Sequence, residues 1–151
     1  MLGAVHGIVE ALYQRYLEDG AKPEDAFNRA CESLTGPIRE TISRHGLVAL
    51  DEHLDAEGRR DFRRSYDATY ASFKGLMAEI YDEVMSGNEI KSVVMAANRF
   101  GEYPMTTIDK SAMWTTGAKV RSHRGQNKTD IDGFTAGTFA GAMMAQIDIL
   151  V

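Results

Sequence analysis

A chain of 151 residues with 44% apolar and 26% charged content suits one domain with a real core, and its net charge of −5 argues against a nucleic-acid module, which carries a basic footprint. One cysteine, Cys31, excludes an internal disulfide, and no apolar run reaches the ~20 residues of a membrane-spanning helix. No basic stretch followed by an apolar block opens the chain, so no targeting signal is expected on it, and neither nucleic acid nor membrane is expected as a partner.

The first predicted helix runs from about Leu2 to Asp19, with Val5, Ile8, Val9, Leu12 and Tyr16 at helical spacing and Gly20 as the natural residue past its end. Pro23, followed by Glu24 and Asp25, restarts a helix carrying Phe27, Ala30, Cys31, Leu34, Ile38 and Ile42. Gly36-Pro37 falls inside that pattern. A proline there lacks a donor and crowds the preceding turn, so a kink or break is expected. Gly46 closes the section, and Leu47 to Leu50 form a short apolar turn.

Asp55 is the expected N-cap of a long helix from Ala56 to Met85. Phe62, Tyr66, Tyr70 and Phe73 share one stripe of it, and Gly75 is a candidate interruption. Ser86-Gly87-Asn88 is a turn, Glu89 to Phe100 another helix, and Gly101 to Thr107 a loop. Asp109 is read as the cap of a short helix holding Met113, Trp114 and Val120; Ser122 to Gly133 is a polar surface loop. A last helix begins at Phe134. With no convincing strand, the expected class is all-α, a helical bundle.

The first and last helices are apolar on more than one face and carry Gly and Ala at intervals of four, which lets backbones approach closely. Helices apolar nearly all round belong in the middle of a core. Their places at residue 1 and residue 151 give the expectation that the chain is a piece of something larger. Their shared spacing suggests an internal repeat and is too short to prove one.

Chemistry-bearing residues are sparse. His6 and Glu10 share a helix face at a spacing that suits either a metal or a polar pair satisfied beside a core. The acidic pairs Asp51/Asp55, Glu79/Glu83 and Glu18/Asp19 could hold a cation, and equally suit solvated helix faces. Arg59, Arg60, Arg63 and Arg64 could grip a phosphate or pair with local acids. Cys31 and the methionines read as core, and Trp114 as a packing anchor whose indole N–H needs a partner. Asn127-Lys128-Thr129 matches a glycosylation sequon without a secretory context.

Five runs, taken together, are more specific than any of these. They are Leu2-Gly3-Ala4-Val5-His6-Gly7-Ile8-Val9-Glu10, Ser86-Gly87-Asn88-Glu89-Ile90-Lys91-Ser92-Val93-Val94, Pro104-Met105 with Ile108-Asp109 and Met113-Trp114, Lys119-Val120-Arg121, and Phe134-Thr135-Ala136-Gly137 with Met143-Met144-Ala145-Gln146-Ile147. In this order and spacing they resemble the helical domain of ketol-acid reductoisomerase in its long, plant-type form, over nearly the whole chain. The resemblance implies that residues 1–151 are part of a knotted, internally duplicated C-terminal all-α domain, with the N-terminal Rossmann domain for NADPH absent. It implies an enzyme that converts 2-acetolactate or 2-aceto-2-hydroxybutyrate to 2,3-dihydroxy acids in valine, leucine and isoleucine biosynthesis, by alkyl migration over Mg²⁺ and reduction by NADPH.

By the same resemblance, the family's first metal-binding glutamate would fall roughly one turn before Met1, and its second acidic pair after Val151. No catalytic, metal or cofactor-binding residue is therefore expected here, and neither Mg²⁺ nor NADPH is expected to bind this chain alone. His6 matches a family histidine that is not a metal ligand. Leu2 matches one of two leucines that wall the substrate pocket, and is the one site residue carried over, as a contact. The implied partners are the rest of the polypeptide and a second subunit of a dimer. The implied compartment is plastid stroma in a plant or alga and cytoplasm in a bacterium. The alternative is a non-catalytic helical module for assembly or dimerisation.

Overall fold

The structure, a computed structural model, describes the backbone of residues 2–91, 94–95, 111–123 and 129–150, and within them the side chains of 5–91, 94–95, 111–123 and 129–149. Among the described residues every regular element is helical, so the all-α expectation holds. None of their helices is long and apolar enough to cross a membrane.

Helix α1 spans Leu2–Glu18. It ends in a Schellman motif: Ala21 N–H reaches the Tyr16 carbonyl at 2.9 Å and Gly20 N–H that of Leu17 at 3.0 Å. Gly20 sits at φ 90°, where a side chain would be strained. Pro23 opens α2, Pro23–Phe27, which passes without a break through a π-helical turn, Asn28–Glu32, a second one, Leu34–Ile38, and α3, Arg39–His45.

The expected kink at Gly36-Pro37 is thus replaced by a widened turn. Arg39 N–H bonds back to Gly36 and Leu34, and the residues flanking the segment keep helical dihedrals. A five-residue repeat relieves the crowding between a proline ring and the carbonyl four residues earlier, so the rod continues where an α-turn would break. The short helix α4, Ala49–Glu52, then buries Leu50 while Val48 stays 80% exposed.

Helix α5, Ala56–Ser86, is capped at Asp55, whose carboxylate accepts from Gly58 N–H at 2.8 Å, and closes at Gly87 with φ 73°. It runs through Gly75 unbroken, since nothing in the pattern there removes a donor. Residues 89–91 and 94–95 are helical, as expected. The rest of the expected helix to Phe100, the loop 101–107 and Asp109 lie outside the described residues.

Helix α6 spans Ala112–Ser122. Its cap is Ser111, whose hydroxyl accepts from Trp114 N–H, and not Asp109. Helix α7 spans Gly133–Leu150. It begins one residue before the expected start because Asp132 caps it, with the Thr135 N–H donating to Asp132 Oδ1 at 2.9 Å.

α7 organises the packing. One face carries Ala136 and Phe139 into two apolar clusters. The larger joins Val9, Leu12, Tyr13 and Tyr16 of α1 with Phe27, Ala30 and Met113; the smaller joins Ile38, Leu50 and Ala136. The opposite face is a stripe of glycines laid against the backbone of α5. A methyl group added at Gly133 would collide with the Gly58 backbone, at Gly137 with the Phe62 carbonyl and Ser65, and at Gly141 with the Tyr66 carbonyl at 2.6 Å. Four-residue spacing on both helices places ridge against ridge, and the two run parallel. The small-residue spacing read in α7 is therefore used. In α1 it is not, because Gly7 faces open space.

Candidate functional site

The only site residue carried from the sequence, Leu2, lies in the first turn of α1, and its side chain is outside the described residues. His6 and Glu10, one and two turns on, do not bond each other among the described residues. Each turns to α6. The His6 ring stacks on Trp114 at 5.7 Å and 14°, while Glu10 accepts from Gln14 at 3.3 Å and from Ser111 at 3.5 Å. Arg121 covers the Trp114 ring at 5.4 Å, and among the described residues the buried indole Nε1 has no hydrogen-bond partner. Trp114 is the packing anchor expected.

The other candidates separate in the same manner. Asp51 receives both guanidinium nitrogens of Arg63, at 3.2 and 3.0 Å, and Asp55 caps α5. Arg59 donates to the Asp51 and Leu54 carbonyls at 3.1 and 3.0 Å, closing the end of α4. Half of the basic patch is thus spent on local structure, and Arg60 and Arg64 are exposed with no ion pair among the described residues. Asp19 pairs with Arg15 at 3.1 Å. Glu79 and Glu83 are exposed. Cys31 packs half-buried against the larger cluster, and Met113 is buried, but Met85, Met95 and Met143 are exposed, against the expectation that the methionines fill core. Asn127 and Lys128 of the sequon lie outside the described residues.

An open cleft of about 600 Å³ lies between α3, the start of α5 and residues 129–131. In it His45 stacks on His53 at 5.9 Å, and His53 Nδ1 donates to the Ala49 carbonyl at 2.6 Å. No group of three or more His, Cys, Asp or Glu among the described residues is arranged to hold a metal ion.

The most connected polar centre was not singled out in the sequence. Asp132, at the start of α7, accepts the Tyr16 hydroxyl at 2.5 Å and the Arg29 Nε at 2.8 Å, while its own N–H donates to Ser33 Oγ at 2.8 Å. Arg29 also covers the Tyr16 ring at 3.9 Å. The Thr135 hydroxyl donates to the Arg29 carbonyl at 3.0 Å and lies 2.7 Å from the Tyr16 oxygen. Burial, then the charge of Asp132, holds the Tyr16 phenol well above the ordinary tyrosine range. Burial opposes the Arg29 charge, yet hydrogen bonding and attraction from Asp132 leave its pKa raised overall. The signal that could have found this centre is Asp132-Gly133-Phe134-Thr135, an N-cap acid three residues before a threonine. Tyr16 and Arg29, more than a hundred residues earlier in the chain, leave no local trace. The centre joins α1, the first π-helical turn and α7. A neutral tyrosine and a fully paired carboxylate offer neither a free base nor a nucleophile, so it holds helices and does not react.

The family model for the ketol-acid reductoisomerase C-terminal domain matches residues 1–126. The chain belongs to that family. It is 45% identical over 99% of its length to a chloroplastic ketol-acid reductoisomerase of Spinacia oleracea and 42% identical over 99% to one of Pisum sativum. It is also 28% identical, over 85% of its length, to a ketol-acid reductoisomerase (NAD(+)) of Desulfosudis oleivorans. The chain spans about a quarter of the length of the plant relatives, 26% and 27%, and 38% of the bacterial one. The plant alignments take in α7, which lies beyond the family model's match.

Proposed function

We propose that this chain is the scaffold segment of a ketol-acid reductoisomerase that converts 2-acetolactate or 2-aceto-2-hydroxybutyrate to 2,3-dihydroxy acids, using Mg²⁺ and NADPH, in branched-chain amino-acid biosynthesis. The observation that carries this is the 45% identity to the spinach enzyme over 99% of the chain. In this reading residues 1–151 are part of a knotted C-terminal domain, the nucleotide domain lies elsewhere in the polypeptide, and the working enzyme is a dimer in the plastid stroma. The bacterial relative's name keeps NADH open as the alternative reductant.

The described residues do not fit a resident metal, since no three of their carboxylates, histidines and cysteine are grouped to hold an ion. No step through Mg²⁺ or the nicotinamide is therefore assigned to them. Leu2 supplies an apolar contact to the substrate pocket. The remainder of α1 is held by Tyr13, whose hydroxyl lies 3.1 Å from Thr116 Oγ1, and by Tyr16 on Asp132. That is a positioning role: side chains locked by packing and hydrogen bonds hold the helix that bears the contact residue.

The test is a chimaera in which residues 1–151 replace the matched segment of the spinach enzyme, assayed for NADPH oxidation with 2-acetolactate. Turnover comparable to the spinach enzyme is expected. A folded chimaera without turnover would overturn the reading.

A further inference from the structure

The uncovered end of α5 is the feature that the scaffold reading leaves unexplained. The helix has 31 residues, about 46 Å at 1.5 Å per residue, and α7 covers only its first part. Gly133 meets Gly58, Gly137 meets Phe62, and Asp148 accepts from the Tyr70 hydroxyl, with Lys74 3.6 Å away. Beyond Lys74 the same face runs on. Ile80 lies about five turns past Phe62 and so points the same way, with Leu76 and Val84 one turn to either side.

These three are 47%, 45% and 46% exposed. Apolar residues at intervals of four on one face are the pattern of a helix that packs against a partner. One edge of this stripe is acidic. Glu79 and Glu83 flank it one turn apart and have no ion pair among the described residues, whereas Lys74 is held by Tyr70 and Asp148.

We propose that Leu76, Ile80 and Val84 form the docking face for a helix that has an apolar stripe flanked by Lys or Arg, supplied by the polypeptide outside the quarter that this chain spans. A second copy fits poorly, because pairing the stripe with itself would bring two acidic edges onto a chain already at −5. The relatives carry about three-quarters of their length beyond the matched segment, which is ample for a covering helix.

The proposal rests on the scaffold reading, and the spinach chimaera separates the two. An inactive parent chimaera would defeat the scaffold reading and, with it, the basis for this one. In an active chimaera, Ile80→Asp is expected to cut activity at 37 °C by about tenfold through loss of folded enzyme, as a buried unpaired charge does. Ala71→Asp, on the opposite face of the same helix, is expected to leave it unchanged. In the 151-residue chain alone, Ile80→Asp is expected to leave the melting temperature unchanged, because Ile80 is exposed there.

Reversing the edge, Glu79→Lys with Glu83→Lys, is expected to lower the melting temperature of the chimaera and not that of the chain. Equal activity of Ile80→Asp and the parent chimaera, or destabilisation of the chain by Ile80→Asp, would overturn the docking face. A discrete dimer of the chain that Ile80→Asp dissolves would overturn the choice of occupant. An edge reversal without effect on the chimaera would overturn the basic flank.

Discussion

At the residue scale the account turns on Asp132. Its carboxylate caps α7, pairs with Arg29 and accepts from Tyr16, so Asp132→Ala removes a helix cap, strands the buried Tyr16 hydroxyl and frees the half-exposed Arg29. A loss of roughly 2–4 kcal/mol in a urea titration is expected. Tyr16→Phe keeps the ring under Arg29 and removes one bond to a charged acceptor, for a smaller loss of about 1–3 kcal/mol. Its pH signature is more specific. Because burial and Asp132 raise the folded-state pKa of Tyr16, the folded chain keeps a proton that the unfolded chain gives up above its ordinary value of 10.0. That stability is fully present below pH 10 and declines as pH rises toward the folded value. Between about pH 9 and 11 the stability of Tyr16→Phe should fall less steeply than that of the unaltered chain; parallel curves would refute the assignment. Single residues were legible in the sequence where their partners are near. Asp55 and Gly20 were placed correctly because a cap and a Schellman turn are local. Asp132 carries no such local signal of its bonds to Tyr16 and Arg29, because both are remote, and Ser111 competes in the sequence with Asp109, an equally good local cap.

At the scale of elements the glycine stripe of α7 makes predictions of opposite sign for one kind of substitution. Gly137→Ala places a methyl inside the Phe62 carbonyl and Ser65, so α5 and α7 must separate. About 3 kcal/mol or more of destabilisation is expected in thermal or urea unfolding, at the upper end of overpacking costs. Gly75→Ala sits mid-helix with nothing within 4 Å of the added carbon and should stabilise by about 1 kcal/mol on helix propensity alone. Similar effects from the two would mean that α7 does not lie on α5. The spacing of small residues made this packing readable in α7, yet not which helix it meets, and the same spacing in α1 is unused within this chain. Pro37 shows the other limit: sequence periodicity registers that an α-turn fails there, but whether the rod breaks or widens depends on Ser33 and Ile38 being wholly buried in packing that favours continuation.

At the scale of the whole molecule the chain is a helical frame whose polar groups are spent on holding helices together. The family was legible because its runs of residues recur in order across nearly the whole chain. The site was not, because one candidate contact, Leu2, is all that the resemblance places here. Among the described residues the carboxylates are dispersed and Asp132 is paired, and the proposed reading assigns affinity for the reaction's ligands to the rest of the polypeptide. The most direct measurement is a calorimetric titration of NADPH, with Mg²⁺ present, into the 151-residue chain and into the spinach chimaera side by side. The account predicts saturable one-to-one binding to the chimaera and no saturable heat with the chain. Tight NADPH binding by the chain alone would contradict it.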